Sequence, residues 1–173
     1  MSTIGMVVGR FQIFHKGHEK VINEALKHCN TLLIFIGSSQ ESRTKRNPFT
    51  YWERLQMIRK VYPNGKRIVI APLPDMTNEL DITHEWGKYV LKHAIQIIGK
   101  KPDVIVYGNE ESRQGWFAPE DVDGILEIKV PRPANAISAT SIREYIKIGN
   151  PEWMFKVNKA LLKDYEALKK YIN

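Results

Sequence analysis

Short apolar runs recur along this chain, and nearly all of them lead straight into residues that turn the backbone. Residues 4–8 meet Gly9, 31–36 meet Gly37-Ser38-Ser39, 67–71 meet Pro72 and Pro74, 103–107 meet Gly108, and a fifth run spans 124–130. The stretches between them carry helical spacing. Val21, Ile22, Ala25 and Leu26 share one face of a helix over about 17–28. Thr50 and Glu53 form a capping box, which predicts a helix with Leu55, Ile58 and Val61 inward that stops before Pro63. Further helices are predicted over about 83–98, ended by Gly99, and over 138–148, ended by Gly149-Asn150-Pro151. The remainder reads as helical, with Leu161, Tyr165, Leu168 and Ile172 on one stripe. Apolar strands alternating with helices imply an α/β fold: a doubly wound parallel sheet of about five strands, covered on both faces. Crossovers should be right-handed. Ligands of such sheets sit beyond the carboxyl ends of strands, where the strand order reverses.

Length and charge narrow the classes. The 173 residues suit one domain, here 1–173, with 151–173 as a C-terminal helical extension. No apolar run approaches the roughly 18–20 residues that cross a bilayer, and the first residues lack a signal-peptide pattern. Cys29 is the only cysteine, so internal disulfides and cysteine-built metal sites are excluded. A soluble, cytoplasmic protein with no membrane partner is the expectation. The net charge of +7 fits either a nucleic-acid surface or a pocket for small polyanions. Much of it lies in 156–170 at helical spacing, which reads as a solvated helix face, so no nucleic-acid partner is expected.

The chemistry gathers after the first strand. His15 and His18 flank Gly17 at a predicted loop-to-helix boundary, where free backbone N–H groups and the helix dipole favour an anion. Arg10 and Lys16 add positive charge, and Gly17 leaves room for a phosphate to approach. Two histidines could also hold zinc, but no acidic or cysteine partner lies at a familiar spacing. Neither G-x-x-x-x-G-K-[ST] nor G-x-G-x-x-G is present. Plain structural readings stand beside these. Gly9, Gly37 and Gly108 serve as strand-end turns, Ser138 and Ser141 as helix caps, and Arg10, Arg43, Lys45 and Arg46 as solvated loop residues. For Arg43 and Lys45 the solvated reading is preferred.

His15-Lys16-Gly17-His18 resembles the H-x-G-H signature of the nucleotidylyltransferase superfamily, and the segment Ile137-Ser138-Ala139-Thr140-Ser141-Ile142-Arg143 resembles its I-S-x-T-x-x-R signature. A third segment, 37–54, is similar to the G-S-x-Q…N-P-F-T-x-x-E-R stretch of archaeal-type nicotinamide mononucleotide adenylyltransferases, and Gly9-Arg10-Phe11-Gln12 fits the same family. The resemblance runs from the first strand to the Arg143 helix and is weakest over 72–85 and 111–123. The family usually has proline where this chain has Ile13, and asparagine where it has Thr83.

What the resemblance implies is a Rossmann-like enzyme that transfers the adenylyl group of ATP to nicotinamide mononucleotide, giving NAD and pyrophosphate. Catalysis then rests on His15, His18 and Arg143. ATP meets Gly9, Arg10, Phe11, Gly17, Gly108, Ser138, Thr140 and Ser141 besides those three. The mononucleotide meets Gly37, Ser38, Arg46 and Trp86, the last as a stacking platform, with a plain core residue as its other reading. Mg2+ would come with ATP, held by phosphate and water with no protein ligand. A homo-oligomer is also implied. Its candidate surface is the 161–172 stripe, whose competing use is packing onto the chain's own sheet. Alternatives are another nucleotidylyltransferase (nicotinate mononucleotide or a phosphorylated alcohol as acceptor, ATP or CTP as donor), a nucleotide sensor without turnover, and a nucleic-acid-binding protein.

Overall fold

A computed structural model describes residues 2–78, 80–108, 113–133 and 135–173. Within them, β1 (Ile4–Gly9), α1 (Lys16–His28), β2 (Thr31–Gly37), α2 (Tyr51–Val61), β3 (Ile68–Leu73), α3 (His84–Ile98), β4 (Val104–Tyr107), β5 (Leu126–Lys129) and α4 (Ala139–Lys147) alternate as the hydrophobic pattern predicts. Three short 3-10 turns, α5 (Trp153–Lys156) and α6 (Leu162–Leu168) follow or intervene, and a last 3-10 turn covers Lys169–Tyr171. The strands form one parallel sheet in the order β3-β2-β1-β4-β5. The order reverses between β1 and β4. The chain first steps outward through β2 to β3, then returns to the far side of β1.

That reversal explains the layers. Successive strand residues point to opposite faces, so Val7, Leu32, Ile34, Val104 and Val106 belong to one core. Met6, Leu33, Phe35, Ile105 and Tyr107 belong to the other. α1, α2 and α4 cover the first face, and α3 covers the second. With right-handed crossovers, a connection that changes direction must change face, and α3 is the connection that does. Its approach is close. A Cβ added to Gly87 would lie 2.0 Å from the carbonyl oxygen of Trp116, so only glycine lets the helix lie against that segment. No helix among the described residues is long and apolar enough to cross a membrane.

Several expectations need correction. Pro72 lies inside β3, paired with Ile36, not in a loop. A strand tolerates proline at an edge, where its missing N–H would face away from the ladder, and β3 is an edge strand. β5, the other edge, is also less buried than its apolar run suggests. The residues after 150 are helical as expected, in short pieces. Val157 is extended and Asn158 caps the next turn by accepting from Ala160 N–H, which breaks the helix there. The stripe packs inward. Leu161 and Tyr165 are buried, and Leu168 and Ile172 pack on the first core, so this stripe offers no exposed face for a second copy. Positions 79, 111 and 112, in the segments of weakest resemblance, lie outside the described residues.

Candidate active site

A cleft of about 620 Å³ opens where the strand order reverses, between the carboxyl ends of β1 and β4. Two helix N-termini converge on it, that of α1 through His15, Lys16 and Gly17 and that of α4 through Ser138, Ala139 and Thr140. Each terminus concentrates free N–H groups and positive dipole charge.

His15 is the N-cap of α1. Its Nδ1 accepts from Gly17 N–H at 3.0 Å, while His18 Nδ1 accepts from His15 N–H at 3.3 Å. This is a capping box built from two histidines. Because each Nδ1 is used as an acceptor, each neutral ring carries its proton on Nε2. The rings stack 3.8 Å apart, and Phe14 and the edge of Phe11 enclose His18 at 5.7 and 4.8 Å. His15 is 6% exposed. Burial, and then the nearby Arg132 charge, hold its pKa down at about 4, against a weaker upward pull from its own backbone. His15 is therefore an uncharged N–H donor at neutral pH. Gly17 also gains a reason the sequence did not show: a Cβ there would lie 2.8 Å from His15 Cε1, so the cap itself requires glycine.

Arginines dominate the surroundings. Arg143, on α4, is buried and donates through Nη1 to Gln12 C=O and through Nη2 to Thr140 Oγ1 at 3.3 Å. Burial lowers its pKa; Glu144 opposes this and Arg46 adds to it. Arg10 reaches Asn47 Oδ1 at 3.2 Å and lines the cleft with Phe11, Gly108 and Arg132. Arg54 on α2 is 0% exposed. Burial, and then Arg10, bring its pKa down to about 10, with Asp75 and Glu53 pulling upward. Arginine side chains gathered this closely mark a place prepared for negative charge.

Nine of the sequence-predicted residues line this cleft: Arg10, Phe11, His15, Gly17, His18, Gly108, Ser138, Thr140 and Arg143. Gly9 ends β1 just beneath the Phe11 ring. Ser141 faces its own helix start, completing a capping box with Ser138. Gly37 and Ser38 lie at the carboxyl end of β2, beside β1, and do not line the cleft. Arg46 is exposed on the following loop, close enough to Arg143 for their charges to interact. Trp86 is 5% exposed in the second core, stacked on Tyr89 at 5.2 Å and edge-on to Trp116 at 5.9 Å. The plain packing reading thus describes its surroundings. Thr83 caps α3 by accepting from Trp86 N–H, a task asparagine performs equally well. Arg43 is not merely solvated: it pairs with Glu53 at 2.6 Å and lies 3.4 Å from the Tyr171 ring centre.

The sequence reading passed over Gln12, Arg54 and Arg132. Gln12 exchanges two hydrogen bonds of 2.9 Å with the backbone of Phe49, tying the loop after β1 to the Asn47-Pro48-Phe49-Thr50 segment. Both Gln12 and Arg54 stand inside the quoted motifs, which was the signal available.

The sequence profile of the Cytidylyltransferase-like family matches residues 6–145. Over 172 residues the chain is 31% identical to the nicotinamide-nucleotide adenylyltransferase of Thermococcus onnurineus, covering 98% of this chain and 85% of that one. It is 44% identical over 90 residues to the enzyme of the same name from Saccharolobus solfataricus, a match covering 50% of each chain. Among solved structures, it is similar to a bifunctional NMN adenylyltransferase/ADP ribose pyrophosphatase of Francisella tularensis complexed with AMP and a manganese ion. There the TM-score is 0.72 and the identity 26%, over 99% of this chain and 49% of that one. The chain thus spans about half the length of that bifunctional protein, and its match to the Saccharolobus relative covers half of that one. The profile match across most of the sequence, with both signatures at helix N-termini on one cleft, shows that the chain belongs to the cytidylyltransferase-like nucleotidylyltransferases, among which it resembles the archaeal nicotinamide-nucleotide adenylyltransferases.

Proposed function

We propose that the chain transfers the adenylyl group of ATP to nicotinamide mononucleotide, forming NAD and releasing pyrophosphate. The observation that carries this reading is the convergence of two helix N-termini, two Nε2–H donors and buried Arg143 on a single cleft. The names of the Thermococcus and Saccharolobus relatives supply the acceptor.

In this reading the acceptor's 5′-phosphate attacks the α-phosphorus of ATP and pyrophosphate departs. Such transfers ask the protein for positioning and charge neutralisation, not covalent participation. His15 and His18 donate from Nε2 to the triphosphate as charge moves toward the leaving group. His15, uncharged at neutral pH, suits this role because its orientation does not depend on a proton being lost. Ser138, Thr140, Ser141 and the N–H groups opening α4 hold the outer phosphates, and Arg143 follows the charge onto pyrophosphate. Gly9, Arg10, Phe11, Gly17 and Gly108 complete the ATP end, while Gly37, Ser38 and Arg46 form the acceptor end. No group of three His, Cys, Asp or Glu side chains among the described residues is arranged for a metal ion. In this reading Mg2+ would come with ATP, bound by phosphate and water, and would offset phosphate charge. Because Trp86 is 5% exposed, stacking on the pyridinium requires the side chains packed around it to move.

The test is pyrophosphate release with ATP or CTP against nicotinamide mononucleotide, nicotinate mononucleotide and glycerol phosphate. NAD formed from ATP and nicotinamide mononucleotide supports the reading. Efficient use of CTP with glycerol phosphate, and no NAD, rejects it.

A further inference from the structure

Two residues that carry side chains adopt left-handed backbone at neighbouring strand ends: Phe11 with φ 54°, just after β1, and Ser38 with φ 44°, just after β2. That region is costly for any residue with a Cβ, and such a conformation persists only where its surroundings over-determine it. The restraint is a single guanidinium. Arg54 Nη1 donates to Arg10 C=O at 2.8 Å and to Gly37 C=O at 2.8 Å, and Nη2 donates to Ser38 C=O at 3.2 Å. These are the peptide carbonyl just before Phe11 and those on either side of Ser38. Nε is anchored on Thr50 C=O at 3.2 Å, which fixes the fork to the N-cap of α2. No lysine could reproduce this, because a point ammonium has no planar fork that bridges three carbonyls.

Both turns lead to the proposed chemistry. Arg10 and Phe11 line the cleft, and the Phe11 ring packs against His18 at 4.8 Å. Ser38 Oγ donates to Asp75 Oδ1 at 3.1 Å, and Asp75 is also bound by Gln40. We infer that Arg54 is a positioning residue: it locks the turns after β1 and β2 in register, and so sets the acceptor end of the site against the His18 end. This rests on the proposed transfer reaction. In-line attack depends on the distance between the two ends, and a displacement of about 1 Å costs about 10²-fold in rate.

Arg54→Lys keeps the charge and loses the fork. Its expected kcat is lower by about 10²-fold, with KM for ATP and for the mononucleotide within about threefold of wild type. Arg54→Gln, which loses the charge as well as the fork, should lose at least as much kcat with the same KM pattern. A defect of folding alone would lower the melting temperature without splitting kcat from KM in this way. Independently of activity, amide hydrogen exchange at Phe11 and Ser38 should accelerate in Arg54→Lys while the central strands stay protected. If the wild type makes no NAD, the reaction assigned above is wrong, and the exchange experiment still judges Arg54. Unchanged exchange or wild-type kcat in Arg54→Lys overturns the inference. So does failure of both Arg54→Lys and Arg54→Gln to melt cooperatively, which would make Arg54 a folding determinant only.

Discussion

His18 is held by rings on several sides and fixed in one tautomer by the His15 N–H, so it behaves as a preoriented donor. His18→Ala should reduce kcat by about 10²–10³-fold, as when one such donor is removed, with an unchanged circular-dichroism spectrum. Turnover near wild type would remove it from the mechanism. His15 makes a separate prediction. Its folded pKa is about 4, against an ordinary value of 6.5. Between those values the unfolded chain binds a proton that the folded chain refuses. The stabilisation is therefore complete above pH 6.5 and drains away as pH falls toward 4, by roughly 1 kcal/mol per unit. Urea midpoints measured at pH 7.5 and pH 5 should show this loss. His15→Asn, which keeps a capping oxygen but has no proton to bind, should show a smaller one. The residue types at both positions could be read directly from the chain. What could not be read is that each ring spends its Nδ1 on a backbone N–H, since that depends on the angle at which α1 begins.

The capping box at Thr50 and Glu53 forms as the sequence indicates, because its partners are three residues apart and need no tertiary contact to find each other. The same holds for Ser138 and Ser141. Contacts between elements were less legible. Gln12 and Phe49 are 37 positions apart, and nothing local distinguishes a glutamine that will pair with backbone from one that will face water. Gly87 is a similar case. Within a helical pattern it looks like a weak point, yet it is where α3 touches the Trp116 segment. Gly87→Ala improves helix propensity but forces that contact apart, an overpacking cost of about 1–3 kcal/mol. For a chain of 173 residues, the melting temperature should fall by about 2–10 °C. A rise would mean that propensity outweighs contact here.

At the scale of the whole molecule, the parallel α/β architecture and the place of the cleft followed from strand runs and the reversal rule. The C-terminal pieces did not, because helical spacing alone cannot tell a free amphipathic face from one that closes a core. Here it closes one. Tyr165 is fully buried, and its hydroxyl donates to Phe14 C=O at 2.7 Å, across 151 positions of sequence. Residues of 151–173 thus form a wall of the first core. Tyr165→Phe leaves the Phe14 carbonyl buried without a donor, which should cost about 1–3 kcal/mol in a urea titration. An unchanged midpoint would show that water or another group replaces the hydroxyl.

The Tyr165 bond also orders events during synthesis. Phe14 precedes the N-cap histidine, so the loop that presents His15 is clamped by a residue translated 151 positions later. A nascent chain still tethered short of that tyrosine can pair β1 with β2, since those strands are already outside the ribosome at that stage. It cannot close the wall behind its own first loop. Nucleotide competence should therefore arrive abruptly once Tyr165 has emerged, and not grow steadily with length.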